Sequence, residues 1–279
     1  MEFLRVVELF PPLFPSRRKV DRIDFEEGVE RFFQEAASLR GCSDVLLVAD
    51  IKNPRVLKFS SLEAAALLKE RLRAEAAPVL VVRDFNRPQL LSAALTAMSL
   101  GLSYVMLAWG DTYPAGSGAT NVRDFKSLAE AVRETTLLRN RSSAATRLLA
   151  PVNVELLAAP RGVELAKGRL RAGAEFLLAQ PPTTNLDVLD EHLGILRQAG
   201  LDGRVLLNVF PFKDLKDVKV CEVYFGWRLP KSLHRAARKG AQALFEAEKE
   251  VVMALRERGL PGVYLNARDT PGIVRRLLA

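Results

Sequence analysis

Short apolar segments alternate with longer amphipathic segments along this chain, and this rhythm limits the folds that it can adopt. Most of the short segments are continuously apolar, which is typical of strands that are buried on both faces of a parallel sheet. The predicted strands span residues 4–9, 45–49, 78–82, 104–108, 154–158, 176–179, 205–209 and 263–265. The amphipathic segments predict helices over residues 25–39, 62–74, 89–100, 124–138, 163–171, 186–199, 233–258 and 271–278.

Glycines follow several predicted helices, just before the next strand: Gly41, Gly101, Gly173, Gly200 and Gly259. Glycine adopts the left-handed conformation that ends many helices, so these positions agree with the periodicity. Eight strands, each followed by a helix, predict an α/β chain that forms a (β/α)8 TIM barrel, as a single domain over residues 1–279. A doubly wound open sheet is the alternative, but it requires a glycine fingerprint where this chain has FPPLFPS.

The composition argues against several other classes of protein. Cys42 and Cys221 lie in no metal-ligand pattern, which indicates a reducing, cytoplasmic setting without a zinc site. No apolar run reaches the length of about 18 residues that predicts a membrane-spanning helix, and the N-terminus carries no secretory leader. The net charge is +8, but a nucleic-acid-binding chain should show one basic face with interleaved aromatic residues, and this pattern is missing. The cations, including Arg17, Arg18 and Lys19, therefore indicate a solvated surface, with an anionic ligand as the alternative.

In a barrel of this kind the active site lies where the strands end and the following loops begin. Polar residues stand at the ends of six predicted strands: Glu8, residues 83–87, residues 109–111, Gln180, residues 208–211, and the pair Asn266 and Arg268. We expect them to meet at one rim of the barrel. Asp84 and Asn86 can equally be helix caps or ion-pair partners. Glu8 is more distinctive, because two prolines follow it and no helix begins there for it to cap.

Five segments near strand ends resemble segments of the methylenetetrahydrofolate reductases. They are VVELFPP at residues 6–12, RDFNR at 83–87, GDTYPAGSG at 110–118, AGAEFLLAQ at 172–180 and YLNAR at 264–268. They occur in the family's order and span nearly the whole chain. The resemblance implies a barrel with FAD in its mouth, which NADH or NADPH reduces. The flavin would then pass hydride to 5,10-methylene-tetrahydrofolate or a related pterin, giving the 5-methyl form.

The resemblance also implies roles for particular residues. By position, Glu8 matches the family's general acid, and Asp111 matches a catalytic carboxylate that lies near the flavin ring and the pterin. Gln180 and Arg268 match substrate contacts, as Asp111 does.

On the cofactor side, the resemblance implies that Trp109, Gly110 and Asp111 lie at the flavin and that Arg169 lies at its phosphates. Packing is the alternative for Trp109, and a solvated helix face is the alternative for Arg169.

The chemistry of the implied reaction explains why an acid stands at the end of the first strand. The methylene bridge must open to an iminium before it accepts hydride, and opening needs a proton on the departing nitrogen. Residues 9–12 are apolar, and such surroundings raise the pKa of a carboxyl group by disfavouring its charged form. Glu8 could then hold a proton near neutral pH and donate it, a step commonly worth about 10²–10⁴-fold.

The chain departs from the family mainly on the flavin side. Val79 stands where the family has a histidine in its third strand, and the predicted fifth strand leads almost directly into the next helix. Most of the loop that holds the flavin nucleotide is therefore missing. Residues 136–153 resemble an insertion, carrying Arg139, Arg141 and Arg147, that could cover this region; a helical extension is the alternative.

These departures leave several possibilities open for the cofactor and the function. Weak flavin binding, FMN in place of FAD, direct hydride transfer from a nicotinamide cofactor, and reliance on a partner subunit all fit the residues. The alternative function is a flavin-free pterin-binding or partner subunit of a methyl-transfer complex. Because the family is commonly oligomeric, a homo-oligomer is also expected.

Overall fold

The computed structural model shows a closed barrel of parallel strands surrounded by helices. It describes residues 2–15, 22–50, 56–110, 122, 124–267 and 270–279. The strands are β1 (Leu4–Leu9), β2 (Leu13–Pro15), β3 (Val45–Val48), β4 (Val56–Lys58), β5 (Ala76–Val81), β6 (Tyr104–Ala108), β7 (Arg147–Asn153), β8 (Ala174–Gln180), β9 (Val205–Val209) and β10 (Gly262–Asn266). The helices are α1 (Arg22–Leu39), α2 (Ser61–Leu72), α3 (Arg87–Ser99), α4 (Leu128–Arg141), α5 (Pro160–Arg171), α6 (Leu186–Ala199), α7 (Leu215–Phe225), α8 (Lys231–Lys239), α9 (Ala241–Glu257) and α10 (Pro271–Leu278).

The barrel closes in the order β1-β10-β9-β8-β7-β6-β5-β3, with every described pairing parallel. Strands β2 and β4 stand apart from it as a small antiparallel pair. At least one helix separates each barrel strand from the next along the chain. The predicted (β/α)8 TIM barrel is therefore confirmed, and the carboxyl ends of its eight strands meet at one mouth.

The barrel strands are buried on both faces, which explains why their sequences are continuously apolar. Along β1, Val6 packs inside the barrel, whereas Val7 and Leu9 pack outward against the helices. Along β3, Leu47 faces inward and Leu46 faces outward in the same way. Burial of one such side chain stabilises the fold by about 1.5–3 kcal/mol relative to exposure, so both layers contribute to the stability of the barrel.

The seam between β1 and β10 closes the barrel and depends on a glycine. Leu4 lies opposite Gly262, and Glu8 lies opposite Asn266. A Cβ atom at position 262 would stand 2.1 Å from the Leu4 carbonyl oxygen, closer than any real contact, so the two backbones meet this closely only because residue 262 is glycine. The seam thereby places the end of the first strand beside the end of the last.

The fifth barrel strand lies earlier in the chain than the sequence predicts. Strand β7 occupies residues 147–153, and the predicted strand at 154–158 is instead largely a turn of 3₁₀ helix, Glu155–Ala158. Residues 136–153 are therefore no insertion: they hold the end of α4, a short connection and the strand itself. Pro151 is tolerated within β7 because the ladder with β6 ends at Leu149, so the side that lacks an N–H needs no partner strand.

The region between β9 and β10 contains three helices where the sequence predicts one helix over 233–258. Helix α7 was not predicted, and the predicted helix is divided at Gly240, whose φ of +111° disrupts regular helix geometry. Helices α7 and α8 enclose a separate small core that includes Phe212, Val218 and Leu233. Within the described ranges, no helix combines the length and the apolar character needed to cross a bilayer.

Candidate functional site

Glu8 projects into the barrel at its mouth. Because side chains alternate along a strand and Val6 faces the interior, Glu8 faces the interior as well. Its Oε2 accepts two hydrogen bonds from the last strand, one from the Tyr264 hydroxyl at 2.5 Å and one from Asn266 Nδ2 at 2.6 Å. Both donors therefore meet on one oxygen of the carboxyl group.

Burial raises the pKa of the Glu8 carboxyl above its usual value. The hydrogen bonds from Tyr264 and Asn266 act in the opposite direction, since they stabilise the charged form, but burial is the largest effect. With two donors on Oε2, the position left for the proton of the neutral acid is Oε1. When the acid is neutral, its proton therefore lies on one defined atom.

Gln180 lies close to this hydrogen-bonded group. It ends β8, and its side chain faces the interior because Phe176 and Leu178 do. The pKa of Tyr264 is raised well above its usual value by burial and by the nearby Glu8 carboxyl, while the nearby Gln180 amide acts in the opposite direction. The Gln180 side chain, a predicted substrate contact, therefore lies close to the tyrosine that donates to Glu8, the predicted acid.

Asn208 completes the polar side of the mouth. It lies on β9 opposite Tyr264 of β10, and its side chain is only 1% exposed. We call Glu8, Gln180, Asn208, Tyr264 and Asn266 the polar arc. The arc occupies four neighbouring strands, β8, β9, β10 and β1, so its donors and acceptors line one continuous side of the barrel interior.

The facing strands β3, β5 and β6 present an apolar wall. Its inward side chains are Leu47, Val79, Val81, Met106 and Ala108. Val79, at the position where the resembled family has a histidine, is one of these buried residues. A polar arc opposite an apolar wall suits a flat ring with one hydrogen-bonding edge.

Trp109 and Gly110 follow β6 at the mouth. Trp109 is 40% exposed, and its carbonyl oxygen accepts a hydrogen bond from the Arg83 backbone N–H at 3.2 Å. Gly110 has a φ of +79°, and a Cβ atom there would stand 2.3 Å from Val81 Cγ1 and 2.9 Å from Arg83 Nη1. Only glycine fits this turn, so the backbone explains Gly110 without a ligand. The cofactor contacts predicted for both residues stay predictions.

The charged and polar residues after β5 have structural partners. Arg83 is 5% exposed and makes a two-pronged ion pair with Asp84, Nε to Oδ1 at 2.7 Å and Nη2 to Oδ2 at 2.9 Å. Asn86 caps α3 by accepting a hydrogen bond from the Gln89 backbone N–H at 2.9 Å. Asp84 is therefore an ion-pair partner and Asn86 is a helix cap, which are the structural alternatives that the sequence leaves open for them.

Arg169 makes its described contact away from the polar arc. Its guanidinium donates to the Pro151 carbonyl oxygen of β7, and burial lowers its pKa. That carbonyl lies beyond the end of the β6–β7 ladder, so Arg169 satisfies a backbone acceptor that no strand reaches. This contact gives no support to the phosphate-binding role predicted for Arg169.

Two predicted site residues, Asp111 and Arg268, lie outside the described residues, as do Arg17, Arg18 and Lys19. Their predicted roles stay predictions.

Tyr264 is the member of the site that sequence reasoning missed. The sequence predicts Glu8 and Gln180 as site residues and places Asn208 and Asn266 at the rim, but it indicates no separate role for Tyr264. The available signal was its spacing, since a residue two positions before Asn266 on a strand shares its face.

No protein-family model matches the chain, and no curated protein matches it in sequence. Among solved structures, an uncharacterized protein from Clostridium thermocellum, described as binding two copies of 5-methyl-5,6,7,8-tetrahydrofolic acid, is similar with a TM-score of 0.68 and 11% identity. The similarity covers 99% of this chain and 94% of that chain. A 2,3-dimethylmalate lyase of the PEP mutase/isocitrate lyase superfamily gives a TM-score of 0.49 at 13% identity, over 99% and 90% of the two chains. The first likeness shows the shared barrel fold and no more.

Proposed function

We propose that this chain binds a reduced pterin of the folate type in the barrel mouth and reduces its 5,10-methylene adduct to the 5-methyl form. The observation that carries the proposal is the Glu8 carboxyl, with a raised pKa and both described donors on Oε2. The similar fold of a protein described as binding 5-methyl-tetrahydrofolic acid supports the choice of ligand.

In this proposal Glu8 supplies the proton that opens the methylene bridge. The neutral acid donates from Oε1 to the departing ring nitrogen, the C–N bond breaks with its electron pair going to that nitrogen, and an iminium remains on the other nitrogen. Hydride then adds to the iminium carbon and gives the methyl group. The carboxylate left on Glu8 keeps two donors, Tyr264 and Asn266, which stabilise its charge during the step.

Gln180 and the apolar wall would orient the ring for this transfer. The amide of Gln180 offers a donor and an acceptor at the carboxyl end of β8, at the mouth of the barrel, which suits a heterocycle edge. Val81 and Ala108, on the facing strands, provide a surface for the ring face. The ring would then lie with its polar edge toward Glu8.

The residues between β7 and α5 fit the nucleotide portion of FAD poorly. Residues 154–159 connect the two elements as a compact 3₁₀ turn, with Leu157 N donating to Val154 O and Ala159 N donating to Leu156 O. Gly162 packs so closely that a Cβ atom there would stand 1.9 Å from the Leu156 carbonyl oxygen. No loop remains here to surround a nucleotide, so we assign the hydride to a reduced flavin or nicotinamide donor without choosing between them.

The same compact connection favours a second candidate function. A chain without a flavin site could bind the pterin as a partner subunit of a methyl-transfer complex. The two candidates share the polar arc and differ in whether hydride reaches the ligand. Experiments on cofactor chemistry can therefore distinguish the two candidate functions, whereas measurements of pterin affinity alone cannot.

The visible spectrum of the purified protein tests the reductase directly. We expect a bound flavin band that bleaches when NADH or NADPH is added anaerobically, or oxidation of the nicotinamide when the methylene pterin is also present. A colourless protein that takes up no added flavin and oxidises no nicotinamide would contradict the reductase. Calorimetric binding of 5-methyl-tetrahydrofolate by such a protein would support the second candidate.

The Glu8→Gln substitution tests the acid. It should abolish reduction of the methylene pterin, because glutamine cannot donate this proton, while any reduction of flavin by nicotinamide continues at its normal rate. Glu70→Gln, a matched change on the exposed side of α2, should alter neither half-reaction. Equal loss of both half-reactions in Glu8→Gln would contradict the acid role.

A further inference from the structure

Asn208 contains a buried hydrogen-bond acceptor that the protein leaves unpaired. Its Oδ1 is fully buried and has no partner, and the whole side chain is 1% exposed. Buried polar atoms in folded proteins are almost always hydrogen-bonded, because leaving one unpaired is costly. An unpaired amide oxygen in a barrel interior therefore calls for an explanation.

Two of the other four buried side-chain atoms without a hydrogen-bond partner, among the described residues, have simpler explanations. Asp50 Oδ1 forms an ion pair with Lys58. Glu248 has a pKa raised well above its usual value by burial, so its Oε2 can carry a proton. The hydroxyl oxygens of Thr184 and Thr270 also lack a partner, although each hydroxyl could donate as well as accept. The oxygen of Asn208 is different, since it can only accept.

The position of Asn208 places this acceptor within the polar arc. Asn208 lies opposite Tyr264 in the β9–β10 ladder, and its inward neighbour along β9 is Leu206. Its backbone carbonyl already accepts a hydrogen bond from the Thr183 N–H at 2.7 Å, which fixes the strand here but leaves the side chain unused. The unused group therefore belongs to a strand that lies between β10, which carries Tyr264, and β8, which Gln180 ends.

We infer that Asn208 is a ligand-contacting residue that determines specificity, with Oδ1 accepting a hydrogen bond from a ring N–H or amino group of the bound heterocycle. This inference rests on the proposed pterin site and adds a chemical requirement to it. A ligand must present an N–H donor toward β9, as the aminopyrimidine portion of a pterin can. A ring without such a donor would leave the buried oxygen unpaired and would bind less well.

The test compares Asn208→Leu with the wild-type protein. Leucine has the same number of side-chain heavy atoms and the same branching as asparagine, and it removes the unpaired acceptor, so the thermal unfolding midpoint should stay the same or rise. The dissociation constant for 5-methyl-tetrahydrofolate, measured by calorimetry, should increase about tenfold, the effect of one lost hydrogen bond. Asn140→Leu, the same change on an exposed surface of α4, should leave the dissociation constant unchanged.

The outcomes separate this inference from the proposed function. If the wild-type protein binds the pterin and Asn208→Leu binds it equally well, the inference is wrong and the proposed site survives. If Asn208→Leu lowers both the unfolding midpoint and the affinity, Asn208→Ala is measured as well, because it removes the amide without adding a branched side chain. Destabilisation in both variants would show a structural role and overturn the inference. If the wild-type protein does not bind the pterin, both proposals fail.

Discussion

Replacing Tyr264 by phenylalanine should make Glu8 a weaker acid. The substitution keeps the ring that fills the interior beside Glu8 but removes the hydroxyl that donates to Oε2 at 2.5 Å. That bond stabilises the charged carboxylate and opposes the effect of burial on the Glu8 pKa. Its loss should therefore raise the pKa further. A hydrogen bond to a charged group contributes about 1.5–3 kcal/mol, and one pKa unit is about 1.4 kcal/mol, so the titration midpoint should move up by about 1–2 pH units.

Infrared spectroscopy can follow this titration without any turnover. The carbonyl stretch of the protonated Glu8 carboxyl is identified as the band that is lost in Glu8→Gln, and its intensity is then measured against pH. If the reductase is active, the pH at which pterin reduction declines should move upward by the same amount. Tyr104→Phe is the matched control, because that hydroxyl accepts from Arg147 Nη1 at 3.2 Å at the opposite end of the barrel. An unchanged or lowered midpoint in Tyr264→Phe would refute the reasoning.

Three further predictions concern stability. Gly110→Ala should lower the free energy of unfolding by at least about 1–2 kcal/mol, because φ is +79° and the new Cβ would meet Val81; Gly194→Ala, in open space on α6, should be neutral or stabilising in the same urea titration. Because the pKa of Glu248 is raised, the folded state holds its proton more tightly, so the free energy of unfolding should fall as pH rises above 4.5; Glu248→Gln should remove this slope. Burial lowers the pKa of His192 to about 4, so its contribution to stability should fall by about 3 kcal/mol as pH drops from 6.5 toward 4. Because Glu248 contributes an opposite slope in this range, the thermal melts are made with Glu248→Gln, and a flat profile there would contradict the His192 assignment.

The sequence predicts the barrel well because each inner strand is buried on both faces and leaves a continuous apolar segment. It fails at β7, where Pro151 argues against a strand and the following 3₁₀ turn has an apolar sequence of its own. The proline is acceptable because the ladder between β6 and β7 ends before it, at Leu149, and only the tertiary structure shows where that ladder ends. Helix α7 escapes prediction for a related reason, since its apolar residues are divided between a small core and solvent, with Val223 88% exposed.

The candidate site is predictable only in part. Glu8 stands out locally, because an acid ends an apolar strand and prolines follow it. The pairing of Glu8 with Tyr264 and Asn266 depends on the register of two strands that lie more than 250 residues apart in the chain, which the sequence does not encode locally. The role of Asn208 is still harder to predict from the sequence. It is inferred from a buried oxygen without a hydrogen-bond partner, and only the folded structure shows that this oxygen is unpaired.

The seam at Gly262 ties the acidity of Glu8 to the closure of the whole barrel. Of the barrel strands, the one that carries the acid comes first in chain order, and the one that carries both of its donors comes last. Until β10 docks, residue 8 is an ordinary solvated carboxyl group that ionises well below neutral pH. Its capacity to keep a proton arises in the same event that completes the ring of strands, and local separation of β1 from β10 would remove it while the other six strands remained paired.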